Sequence, residues 1–127
     1  MPSVILPWGT LYATTNDTEV VLPAGMWART GGLLAMRATP ELRGIAGDIQ
    51  VDVGIQVANV ENDPLAFIPI SGYKTTLGVH YPTVWVDVES GVEGRQLWRP
   101  AYRVKNTTTD NLTFVRVFAL LEWVMKS

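Results

Sequence analysis

From Ile49 to Val57 every second residue is β-branched and apolar: Ile49, Val51, Val53, Ile55 and Val57 alternate with Gln50, Asp52, Gly54 and Gln56. A period of two belongs to a strand, whose successive side chains point to opposite faces, and a helix cannot satisfy it. The segment is expected to be a half-buried strand. It should end at Glu61-Asn62-Asp63-Pro64, where Asn, Asp and Pro favour a turn.

Similar segments recur along the chain. Met26 to Thr39 reads as a hairpin about Gly31-Gly32, a pair that accepts positive φ. Pairing Thr30 with Leu33 sets Trp27 opposite Met36 and Met26 opposite Arg37. The second half reads as a meander with turns at 90–94 and 106–111. Pairing Glu89 with Arg95 brings Val86 opposite Trp98. Pairing Lys105 with Leu112 brings Val104 opposite Thr113 and Tyr102 opposite Val115. One face then collects Val84, Val86, Val88, Trp98, Tyr102, Val104, Val115, Val117 and Ala119, a consistent apolar side. The other face carries Trp85, Arg99, Arg103, Phe114, Arg116, Phe118 and Leu120, with Arg99 opposite Trp85 and Arg103 opposite Phe114, placements that permit cation–π contact.

The closing stretch, "FVRVFALLEWVMKS", is apolar on both faces. Phe114, Val117, Phe118, Leu121 and Val124 also fit a helical spacing, and residues 118–125 contain good helix formers. The β-branched and aromatic start, with no capped helix entry, favours a strand. A strand of this kind needs cover on both sides, from its own core and from a partner or the chain's first residues. The expected architecture is all-β: an antiparallel β-sandwich, jelly-roll-like, of eight or nine strands over residues 17–127. An extended N-terminal arm over residues 1–16 precedes it.

No charge precedes Asp17, and Pro2 and Pro7 break the opening stretch. Val4, Ile5, Leu6 and Trp8 are poor residues to leave in water, so the arm is expected to dock on its own domain or across a neighbour. It has no basic segment ahead of its apolar run and is too interrupted to span a bilayer. Synthesis in the cytoplasm is expected, with neither membrane nor secretory targeting. The acceptor-like triplets at Asn16, Asn106 and Asn111 are discounted on that ground.

Charged residues make up 17% of the chain and hydrophobic ones 47%, against a usual charged share of about 25%. Part of the surface is therefore expected to be covered by a partner. A net charge of −2 argues against nucleic acid, whose phosphates call for clustered Lys and Arg. Seven arginines against three lysines suit protein interfaces, where the guanidinium fork pairs with carboxylates and stacks on rings. Cysteine is absent, which removes disulfides, thiolate metal sites and Cys nucleophiles.

Catalytic signals are missing. His80, the single histidine, sits beside Tyr81 and Pro82 and reads as structural. Glu61 and Asp63 read as a turn and not as calcium ligands. Asp87 and Glu89 share a strand face, and Arg95 is the expected partner of Glu89. No serine elbow is present, and the glycines of "RTGGLL" follow no parallel strand. The expectation is no enzyme, no cofactor and no metal, with an interface built from Val4, Ile5, Leu6, Trp8, Trp85, Arg99, Arg103, Phe114, Arg116, Phe118 and Leu120.

The opening "MPSVILPWGTLYATT" and the closing "YRVKNTTTDNLTFVRVFALLEW" together resemble small virion proteins of tailed bacteriophages, of the head decoration and minor capsid type. The resemblance implies a mechanical role in the virion: homo-oligomers, trimers among them, in contact with a major capsid protein or other virion proteins. No residue matches a family motif, so no functional position is carried over. Two alternatives stay open. One is a phage tail or baseplate component. The other is a carbohydrate-binding sandwich, suggested by Trp8, Trp27, Trp85, Trp98 and Trp123.

Overall fold

The computed structural model describes residues 2–14, 19–46, 49–61, 63–75, 81–106 and 112–126. Nine strands and one helical turn occur among them, in the order β1 Ser3–Thr14, β2 Glu19–Pro23, β3 Ala28–Arg29, β4 Leu33–Ala46, β5 Ile49–Ala58, β6 Pro64–Pro69, β7 Val86–Asp87, α1 Glu89–Val92, β8 Leu97–Asn106 and β9 Leu112–Met125. They form two antiparallel sheets. Sheet I runs β1-β9-β4-β7; sheet II runs β2-β8-β5-β6, with β3 continuing the β2 side of β8. The first strand pairs with the last and the second with the next to last, and most successive strands lie in opposite sheets. This nesting is that of a jelly roll, the expected sandwich.

The core fills the space between the sheets. Leu42, Val115, Val117 and Leu121 of sheet I meet Ile49, Val51, Ile55 and Val104 of sheet II, all at most 1% exposed. Trp98 of β8 meets Trp123 of β9 edge to face, with centroids 5.0 Å apart, a favoured aromatic arrangement. Tyr102 also enters this core, and its buried hydroxyl has no hydrogen-bond partner among the described residues. Burial without a partner pushes the phenol's pKa upward and costs desolvation free energy. Tyr102→Phe should therefore leave stability unchanged or raise it by about 1 kcal/mol, read from the denaturant midpoint.

Two prolines lie inside long strands without breaking a ladder. Trp123 N donates to Pro2 O, so the odd residues of β9 face β1 and the even ones face β4. Pro40 lies opposite Ala119, so its missing N–H would have pointed away from β9. Its neighbour in phase, Ala38, turns its backbone to Thr83 instead: Thr83 N donates to Ala38 O at 2.7 Å. Pro7 belongs to the phase of β1 that faces the free edge, a position proline tolerates.

Several expectations on pairing are overturned. The Gly31-Gly32 turn forms, closed by Leu33 N to Thr30 O at 2.9 Å with Gly32 at φ 81°, but it joins the two sheets. Ala28 pairs with Trp98 in sheet II, while Met36 pairs with Trp123 in sheet I, so Trp27 and Met36 are not cross-strand partners. The meander is likewise replaced: β7 pairs with β4, β8 with β5 and β2, and β9 with β1 and β4. The reason is physical. Alternation dictates which side chains face inward, and crossing to the other sheet satisfies it as well as turning back within one. Trp98, Tyr102, Val104, Val115, Val117 and Ala119 are accordingly inward-facing as expected, whereas Val84 is 81% exposed. Glu89 pairs with Lys126 at 2.6 Å, not with Arg95.

Two further outcomes concern single strands. β9 is a strand throughout, including 118–125. β5, expected to be half-buried, is buried on both faces apart from Gln50. As an inner strand of sheet II it carries Asp52, Gly54 and Gln56 on the outward side, and long side chains of β8 and β6 cover them.

Candidate interaction surface

The outward side of sheet I answers why β9 is apolar on both faces. Its inward residues Val115, Val117, Ala119 and Leu121 are fully buried, while Phe114, Phe118 and Leu120 point outward. β1 supplies their cover. Leu6 lies opposite Ala119 and Gly9 opposite Val117, so Pro7 and Trp8 together face Phe118 in a β-bulge. Such a bulge adds one residue and reverses the phase of the strand beyond it. Leu6 and Leu11 are therefore both buried although five positions apart. Trp8 is turned outward onto Phe118, with centroids 5.6 Å apart. Tyr12 lies against Phe114 at 6.4 Å.

Arginines from β4 and β9 complete the face. Arg43 and Arg116 are directly paired across the ladder, and both guanidinium groups lie over Trp8, at 5.2 and 5.6 Å. Two like charges so placed repel. The indole ring that both guanidinium groups approach and the Glu41 carboxylate, which accepts from Arg43 at 2.7 Å, offset that repulsion. At the far border Arg37 binds Glu122 at 2.9 Å and lies 4.7 Å from the Trp85 ring. Ile5 at 60% and Tyr12 at 58% are the most exposed apolar side chains on β1. A surface of aromatic rings and arginine with no lysine has the composition of an interface centre.

The outward side of sheet II is built differently, because Arg99 and Arg103 are engaged within the chain. Arg103 donates to Asp52 Oδ2 at 2.7 Å and lies between the Tyr73 and Phe67 rings, at 4.6 and 5.1 Å. Glu19 sits 3.8 Å from Arg103 Nε and accepts a hydrogen bond from the Tyr73 hydroxyl. Asp52 is fully buried; loss of water raises its pKa above the ordinary value, and the Arg103 hydrogen bond and charge, with Ser71, partly offset that rise. Arg99 covers Trp27 at 4.2 Å and donates to Gln56 Oε1 at 2.8 Å.

The residues expected to form one interface are thus distributed. Ile5, Trp8, Phe114, Arg116, Phe118 and Leu120 come together on the outward side of sheet I, with Trp85 at its border. Leu6 lies in the core and Val4 packs against it. Arg99 and Arg103 occupy the opposite outer surface, over Trp27, Phe67 and Tyr73 instead of Trp85 and Phe114. Sequence reasoning missed Tyr12, Arg37 and Arg43. The signal was present: Arg37, Thr39, Glu41 and Arg43 alternate with Ala38, Pro40 and Leu42.

Among the described residues no three His, Cys, Asp or Glu side chains gather where they could hold a metal ion. His80, Asn16, Asn62 and Asn111 lie outside the described residues. Asn106 is fully buried, which denies a glycosyl transferase access to its triplet in the folded chain.

No family model matches the sequence, and no curated protein matches it. Solved structures do. A chain in the structure of the infectious bursal disease virus Gt strain superposes with a TM-score of 0.54 at 7% identity, covering 96% of this chain and 33% of that one. The corresponding structure of the Gx strain gives 0.51 at 7% identity, over 94% and 31%. This chain therefore spans about a third of the length of the chains it matches. At such low identity the likeness is one of fold.

Proposed function

We propose that this chain is a non-enzymatic structural component of a virus particle that engages neighbouring protein subunits through the outward side of sheet I. The observation that carries the reading is the Trp8–Phe118 and Tyr12–Phe114 surface flanked by Arg43 and Arg116. The shared fold supports it, since the superposed chains come from virus structures and jelly rolls are common in viral capsids. Removing this surface from water stabilises an assembly by ~25 cal/mol per Å² of apolar area, less the cost of ordering each copy. The narrower roles, decoration or minor capsid protein of a tailed phage, rest on the sequence resemblance alone.

Jelly rolls also serve as lectins, but no tryptophan here presents a ring free of neighbouring side chains, although Trp8 and Trp85 stay partly exposed. Trp98 and Trp123 pack on each other, and Arg99, Arg37 and Arg43 lie over Trp27, Trp85 and Trp8. The test is sedimentation of the purified chain over a wide range of concentration, beside the Trp8→Ser/Phe118→Ser variant. Association that rises with concentration and is weakened in the variant is expected. A chain that stays monomeric throughout, with tryptophan fluorescence quenched by polysaccharide, would replace assembly with sugar binding.

A further inference from the structure

We propose that the free edge of β1 pairs antiparallel with β1 of a second copy of this chain, about a two-fold axis through Tyr12. This deepens the assembly reading and rests on it, by naming one partner.

A strand edge with unpaired N–H and C=O groups is a template for another strand, and proteins blunt such edges with charge, proline or brevity. Among the described residues the two sheets have four edges, and none of these residues pairs with the outer side of β1. β7 is two residues long, β6 is bounded by Pro64 and Pro69, and β2 starts at Glu19 and ends at Pro23. β1 has twelve residues and not one charge. Its register shows which of its groups are free. Before the bulge, Pro2, Val4 and Leu6 face β9, leaving Ser3 and Ile5 at the edge; after it, Gly9, Leu11 and Ala13 face β9, leaving Thr10, Tyr12 and Thr14. Pro7 interrupts the first run. The second, residues 10–14, is uninterrupted.

An isologous contact requires the run to complement itself. Centred on Tyr12, it does: Tyr12 meets Tyr12 of the second copy, Thr10 meets Thr14, and every outward N–H finds an outward C=O. No like charges meet, and Pro7 falls outside the paired segment. The two copies of sheet I become one continuous sheet, with both Tyr12–Phe114 pairs side by side on its outward side, where cross-strand aromatic neighbours stabilise each other.

The chain contains no cysteine, so one introduced thiol reports on geometry directly. In this pairing the two Tyr12 Cα atoms lie about 5.5 Å apart, within disulfide reach. Tyr12→Cys is expected to give a covalent dimer under mild oxidation, and Ile5→Cys, equally exposed on the same strand, is not. Tyr12→Lys, which sets two ammonium groups at the axis, is expected to weaken self-association with an unchanged circular dichroism spectrum. Equal crosslinking at both positions, or none at Tyr12 while association through Trp8 and Phe118 persists, overturns the edge pairing and leaves the assembly reading standing. A chain that is monomeric throughout overturns both.

Discussion

Arg103→Ala is expected to lower the free energy of unfolding by about 3 kcal/mol at neutral pH. That is the lower end of the cost of removing one member of a buried ion pair, because Arg103 itself keeps some contact with water. Asp52 has no exposed surface, so without the guanidinium its carboxylate stays in a dry interior without a counter-charge. Phe67 and Tyr73 lose the group that stacks between them. The loss should depend on pH. Burial already raises the Asp52 pKa, and Arg103 opposes that rise. A carboxyl whose folded pKa lies above its unfolded value favours folding below the unfolded value, and that advantage is lost as pH rises through the folded one. Removing Arg103 moves the folded value higher still. The deficit should therefore be largest at neutral pH and shrink as acid neutralises Asp52. Denaturant melts at neutral and mildly acidic pH, with Arg103→Ala/Asp52→Asn beside the single variant, measure it. A deficit independent of pH, and as large in the double variant, would assign the loss to packing alone.

Gly54→Ala is expected to destabilise by about 1–3 kcal/mol although it adds a single methyl, as overpacking in a tight interior does. Gly54 lies in β5 opposite Pro69 of β6. A Cβ there would collide with the Ile68 carbonyl oxygen and stand 2.6 Å from Phe67 Cζ. The Phe67 ring could swing aside, but the carbonyl belongs to the neighbouring strand and cannot move without separating β6 from β5. Trimming the ring should therefore give little relief, so Gly54→Ala/Phe67→Ala is expected to be less stable than either single variant. Full rescue by Phe67→Ala would place the obstruction in the ring. The same glycine lets Phe67 reach Arg103, so the close approach and the buried pair belong to one construction.

The legible parts of this fold are those encoded by alternation. Ile49 to Val57 fix both strand character and inward side, because a residue and its second neighbour must share a face. Val115, Val117 and Ala119 show the inward side of β9, whose strand character rests on its β-branched and aromatic start against a competing helical spacing. Neighbour identity has no such local code. Counting across one turn matches Val86 with Trp98, yet its partner is Met36, fifty residues earlier. The surface suffers for the same reason. Arg99 and Phe114 share an outward phase in the sequence, and only the crossing of β8 and β9 into different sheets sends them to opposite sides of the molecule. The bulge at Pro7–Trp8 is invisible as well, since Leu6 and Leu11 look out of phase until an extra residue is accommodated between them.

The nested strand order also has a kinetic meaning. β9 lies between β1 and β4 in sheet I, so both neighbours are synthesised well before the strand that joins them. Until it emerges they have no partner in common, and the apolar sides they will share stay open to water. Pairings between such distant stretches close large loops, which slows folding and prolongs exposure of sticky intermediates. Sheet I cannot close until β9 takes its place between strands made much earlier, so a chain of this design is expected to fold slowly and to rely on protection from association while those apolar sides wait.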